Sequence, residues 1–126
     1  MNIIKNIITI SILSMSLNIF ANPGKEIFDR YCTVCHSPSM APMFNSPAAH
    51  DIQAWNERKD IALNRAYEND PSIKNLPKNE QNLEIIKNLV QSAMNGTDKG
   101  MPPMGTCMEC TEKELKETIE FMSSVE

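Results

Sequence analysis

The stretch Cys32-Thr33-Val34-Cys35-His36 decides how this chain is read. Two cysteines spaced three positions apart at the end of a helix can reach the two vinyl groups of one haem and form thioethers. The histidine that follows is then set directly against the iron. Cys-x-x-Cys-His is a c-type haem attachment signature. The same residues allow two other chemistries. A thiol–disulfide site usually sits near a βαβ pattern, and no alternating strand is legible here. A zinc site could recruit Cys32, Cys35, Cys107 and Cys110 as four thiolates. The gap between those pairs is far longer than the roughly 15–20 residues of common zinc ribbons.

Upstream of the motif, Met1 to Lys5 is short and basic, and Ile7 to Phe20 is apolar and uncharged. The run closes on the small residue Ala21. That pattern predicts a secretory signal peptide over residues 1–21. The competing expectation is an uncleaved anchor, for which the Thr, Ser and Asn residues make the run poorly apolar, since spanning helices want about 20 mainly apolar residues. The rest, residues 22–126, is long enough for one domain. The whole chain carries a net charge of −4. Losing Lys5 with the leader leaves a mature chain near −5. No basic stripe exists, so a nucleic-acid partner is not expected. Four cysteines in two pairs, in an exported chain, point to an oxidising compartment.

Working along the mature chain, the helical period dominates, and the fold class is all-α. Asn22 and Pro23 open a first helix that runs into the motif, with Ile27, Phe28 and Tyr31 on one face. Ser37 to Ala49 reads as loop, with prolines at 38, 42 and 47. Asp51 caps a second helix whose inner face is Ile52, Trp55, Ala62, Leu63 and Ala66, with a bend allowed near Arg58 to Asp60. Pro71 to Asn79 reads as a polar connection. A third helix spans Glu80 to Asn95, with Leu83, Ile86, Leu89, Val90, Ala93 and Met94 inside and Gly96 as its stop. Thr111 and Glu114 form a capping box for the last helix, which buries Leu115, Ile119 and Met122. About four short helices joined by proline-rich loops, around one haem, are expected.

A second axial ligand must come from outside the motif. Histidine with methionine is the cytochrome c arrangement. Of nine methionines, Met101 and Met104 lie in a stiff, glycine-flanked loop before the final helix, Gly100-Met101-Pro102-Pro103-Met104-Gly105. Met101 is the favoured ligand and Met104 the second choice. Met40 and Met43 are weaker candidates, suited to packing. His50, the only other histidine, reads as a surface or haem-edge residue.

On these residues the chain resembles the class I c-type cytochromes, and more narrowly the cytochrome c5 family. The narrow match is Lys99 to Cys110, a Met-Pro-Pro loop followed by a second Cys-x-x-Cys before an acidic helix start. The resemblance implies a class I cytochrome c fold, with first and last helices crossing where Gly24 and Phe28 face Phe121, Met101 as axial ligand and a Cys107–Cys110 disulfide. Trp55 and Arg58 also match, which implies that they lie near the haem propionates. The match is weakest from Lys59 to Asn82, which reads as an insertion. The Cys107–Cys110 pair can be a structural clip for the methionine loop or, because a helix start lowers thiolate pKa, a redox-active bond.

The expected function is a periplasmic monohaem one-electron carrier between respiratory partners, holding one covalent haem c and its iron. Its partners are redox proteins bound weakly and briefly. Membrane association would come only through an uncleaved leader or a membrane-bound partner. Two alternatives stand beside it: a haem enzyme or ligand sensor with an open iron site, and a haem-free thiol–disulfide or zinc module.

Overall fold

The computed structural model describes residues 21–125, so the expected signal peptide over residues 1–21 lies outside the described residues except for Ala21. The described chain is helical, with no strand among the described residues. Asn22 caps the first helix, its side chain accepting from the Lys25 N–H at 3.1 Å, with Pro23 at the first helical position. α1 (Pro23–Ile27) continues into a π-helical turn (Phe28–Cys32) and then α2 (Thr33–His36), giving one rod over residues 23–36. A short α3 (Ala41–Phe44) follows and ends on Asn45 in the left-handed region.

Asp51 caps α4 (Ile52–Asn69) by accepting from the Ala54 N–H at 3.1 Å. α4 runs as one continuous helix through Arg58 to Asp60, where the sequence allowed a bend. Its continuity follows from sequence, since no Pro or Gly interrupts the run. The connection after it contains a 3₁₀ turn, Pro71–Asn75, that buries Ile73. α5 (Lys78–Asn95) starts two residues before the expected boundary. A turn at Pro103–Thr106 then leads to α6 (Glu112–Met122), which opens on the Thr111–Glu114 capping box. The rod, α4, α5 and α6 match the four expected helices, but α4 and α5 have 18 residues each and are not short.

α1 and α6 cross at backbone contact. A Cβ on Gly24 would lie 2.2 Å from the Glu117 carbonyl oxygen, so only glycine permits this approach. Phe28 and Phe121 seal the crossing, with ring centroids 5.5 Å apart and planes tilted by 53°. Around them the main core gathers Trp55 from α4, Val90 and Ala93 from α5, and Ile119 and Met122 from α6. A second cluster holds Cys107, Cys110 and Leu115, with Ile27, Tyr31, Met94 and Met104 against it.

α4 and α5 run back along each other, with the small residues Ala62 and Ala66 buried on α4. The segment from Lys59 to Asn82 supplies most of α4, the 3₁₀ turn and the first turn of α5. Its buried polar group is Gln81, which accepts from the Tyr67 hydroxyl at 2.8 Å and donates to the Leu76 carbonyl at 2.8 Å. Both ends of the amide are satisfied, so its burial carries no orphan penalty.

Two expected core residues are exposed. Leu83 is 62% accessible and Ile52 is 37% accessible. Leu83 shares the helical face of Val90 but lies seven residues, about 10 Å, before it along the axis. At that level α5 instead buries the opposite face, through Gln81. Ile52 sits in the first turn of α4, ahead of the core that begins at Trp55.

Candidate functional site

The helical rod carries Cys32, Cys35 and His36 in its last turns. The π-helical turn at Phe28–Cys32 widens the helix just before the first cysteine. Such turns often mark functional positions within helices. Cys32 and Cys35 are both half-buried free thiols. Burial, reinforced by the neighbouring Cys35, pushes the Cys32 thiol up to about 11. It is therefore protonated at neutral pH and a poor attacker of disulfides.

His36 is buried, and its Nδ1 lies 2.8 Å from the Pro47 carbonyl oxygen. A carbonyl only accepts, so Nδ1 carries the proton and the neutral ring keeps its lone pair on Nε2. Burial lowers the His36 pKa and the nearby Arg58 charge adds to that, while the Pro47 bond works the other way. The net effect favours the neutral, ligating form. An outer partner of this kind fixes the orientation and basicity of a ligating imidazole.

The loop that supplies Pro47 is tied down on several sides. The Ser46 hydroxyl donates to the Cys35 carbonyl, and the Ala49 N–H donates to the His36 carbonyl at 2.7 Å. From α4, the Trp55 indole N–H donates to the Ala48 carbonyl at 2.9 Å, and Arg58 donates through Nη2 to the Asn45 carbonyl at 3.1 Å. The Trp55 ring also stacks beside His36, with centroids 6.1 Å apart. Trp55 and Arg58 thus stand beside the motif, with the single indole N–H engaged by the loop. Arg58 retains further donors.

Met101 is half-buried and packs against the main core, the cluster that also receives Cys32. Met104 packs against the Cys107–Cys110–Leu115 cluster instead. The two loop methionines therefore face different surroundings. Met43 is 76% accessible on α3. Cys107 and Cys110 are buried and disulfide-bonded, with Cα atoms 5.4 Å apart. The Tyr31 hydroxyl donates to Glu109 at 2.8 Å, linking the attachment helix to that short loop.

His50 makes its contacts with the end of α6. Its N–H donates to the Met122 carbonyl at 2.7 Å, its Nδ1 meets the Ser124 carbonyl at 2.9 Å, and its ring edge meets Phe121 at 4.8 Å. It fastens the end of α6. Zinc fails on the same geometry, because two of the four cysteines are bonded to each other. No group of three or more potential metal ligands of the Cys, His, Asp and Glu type occurs among the described residues.

The donor set fits a covalent haem: two half-buried thiols within one helical turn, an adjacent imidazole with its outer nitrogen engaged, and a thioether on the core side. Sequence reasoning missed Pro47, Ser46 and Ala48, whose contributions are carbonyls and a hydroxyl in an irregular loop. The proline density of that loop was the only local sign that its shape mattered.

Residues 20–122 match the family described as cytochrome c oxidase, cbb3-type, subunit III. The chain belongs to this family of c-type cytochromes. It is also similar to cytochrome c5 of Azotobacter vinelandii, 27% identical over 105 residues, which cover 83% of this chain and 96% of that protein. Cytochrome c5 of Ectopseudomonas mendocina is 29% identical over 105 residues, covering 83% of this chain and 92% of that protein. No solved structure gives a significant match. The chain is thus a class I, cytochrome c5-like protein with one covalently bound haem c and its iron. It is an electron carrier and not an enzyme.

Proposed function

We propose that this cytochrome is an exported, periplasmic one-electron carrier whose haem is anchored by thioethers to Cys32 and Cys35 and ligated by His36 and Met101. The observation that carries the reading is the 2.8 Å contact from His36 Nδ1 to the Pro47 carbonyl, which leaves Nε2 available as a ligand. The core-side packing of Met101, against the cluster that Cys32 joins, supports it as the sixth ligand. When bound, the haem iron supplies a ferric/ferrous couple, and methionine ligation raises its potential. With both axial positions filled from the chain, no open position is left for a substrate.

The buried Cys107–Cys110 disulfide supports an oxidising compartment. Among the described residues no helix is long and apolar enough to cross a membrane. The acidic charge of the chain suits a respiratory partner with a basic docking surface, met briefly and in a salt-sensitive way. Residues 59–82 are proposed as an insertion that lengthens α4 and α5 against each other.

The test is mass spectrometry of the protein exported from cells with haem-maturation machinery. The mature mass should exceed that of the polypeptide after Ala21 by one haem. Cys32→Ala and Cys35→Ala should each reduce the attachment. A mature chain with no added haem contradicts the attachment reading, and a retained leader contradicts the cleaved form.

A further inference from the structure

Thr97 meets both backbone polar groups of Met101. The Thr97 N–H donates to the Met101 carbonyl at 2.9 Å, and the Met101 N–H donates to the Thr97 hydroxyl oxygen at 3.3 Å. The Thr97 carbonyl closes the same loop by accepting from the Gly100 N–H at 3.0 Å. One residue therefore gathers the loop over residues 97–101 and grips the methionine at its end. The residue before it completes the dock. Gly96 has φ +76°, and a Cβ there would lie 2.7 Å from the Met101 carbonyl oxygen and 2.9 Å from the Pro103 nitrogen. The end of α5 is thus pressed against the methionine loop at a distance only glycine allows.

The loop needs such a hold. Met104, Gly105 and Thr106 follow one another at positive φ, at 60°, 55° and 71°. For a β-branched residue such as Thr106 that conformation is unfavourable. A segment with that backbone will not keep Met101 in place by local preference alone. On the far side the Cys107–Cys110 bond fixes it, and on the near side Thr97 does.

We propose that Thr97 is a positioning residue for Met101: its paired backbone and hydroxyl contacts hold the methionine in register with the iron site and so set how firmly the thioether is held. The proposal rests on Met101 being the sixth ligand. Thr97→Val keeps the shape and β-branching but removes the acceptor, leaving the Met101 N–H without a protein partner. Thr97→Ser keeps the acceptor.

The test is displacement of the sixth ligand from the ferric haem protein by added imidazole, followed in the visible spectrum. Losing one hydrogen bond that favours the ligated loop should raise the apparent imidazole affinity of Thr97→Val by about three- to tenfold. Thr97→Ser should stay within about twofold of the parent protein on the same hydrogen-bond scale. Thr97→Ala, which also lacks the acceptor, should follow Thr97→Val and keeps the test alive if the valine variant does not fold. An unchanged affinity in the acceptor-less variants overturns the proposal, as does a serine variant that shifts as far as valine. Met101→Ala separates the two levels. It should abolish the sulfur-to-iron absorption at the red end of the spectrum. If it does and Thr97→Val is unchanged, only the positioning role fails. If the absorption survives in Met101→Ala, the ligand reading fails and the proposal with it.

Discussion

His36 and Trp55 stack face to face, 6.1 Å between centroids, and both are tied to one loop: His36 to the Pro47 carbonyl and Trp55 to the adjacent Ala48 carbonyl. The second helix thus acts on the attachment motif through the backbone of the loop between them. The consequence is that the orientation of the His36 imidazole depends on an indole N–H that never touches it.

Trp55→Phe keeps a ring beside His36 and removes that N–H. It should lower stability by about 1 kcal/mol, the net worth of one hydrogen bond. Trp55→Ala should cost about 3–5 kcal/mol, since a buried aromatic is lost as well. Denaturant unfolding of both variants measures the difference, and a Trp55→Phe variant as stable as the parent would deny the hydrogen bond any role.

The α1–α6 crossing predicts a steric penalty at one atom. Gly24→Ala brings a Cβ into the Glu117 carbonyl, and neither backbone can yield cheaply. A loss of about 2 kcal/mol or more is expected, read as a fall of roughly 10 °C in melting temperature. A melting temperature within about 2 °C of the parent would mean that the helices do not touch there.

The capping box on α6 makes a pH-dependent contribution. The Thr111 N–H and hydroxyl hold Glu114 below the usual carboxylate range. A carboxylate with a depressed folded-state pKa stabilises the fold above its unfolded pKa and loses that contribution as pH falls through the folded value. The stability gap between the parent and Glu114→Ala should be full at neutral pH and close on acidification below the ordinary carboxylate range. Thr111→Ala should cost about 1 kcal/mol at neutral pH. A gap that widens in acid would contradict the box.

The Cys107–Cys110 bond closes a very short loop, so its chain-entropy contribution is small, about 2 kcal/mol. The double serine variant should therefore remain folded. Its effect should show first at the methionine loop, as easier displacement of Met101 by imidazole. A variant that unfolds outright would assign the bond a global role instead.

The parts of this molecule legible in sequence are those written within a few residues. The Asn22 and Thr111 caps, the Gly96 stop and the attachment motif are all local signals, and each is present. Helical period also identified Trp55, Ala62, Ala66, Val90 and Ala93 as buried. It failed at Ile52 and Leu83 because period reports which face a residue takes, not how far along the axis the core extends. The hold of Pro47 on His36 and of Thr97 on Met101 was not legible, because both use backbone carbonyls or amides that every residue type carries. The contacts of His50 to Met122 and Ser124 were not legible for a related reason: they join segments far apart in the chain.

The most direct test of the account is the visible spectrum of the exported ferric protein. Ligation by His36 and Met101 predicts a low-spin spectrum with a weak sulfur-to-iron absorption at its red end, lost in Met101→Ala. A high-spin ferric spectrum in the parent protein would contradict the six-coordinate electron carrier described above.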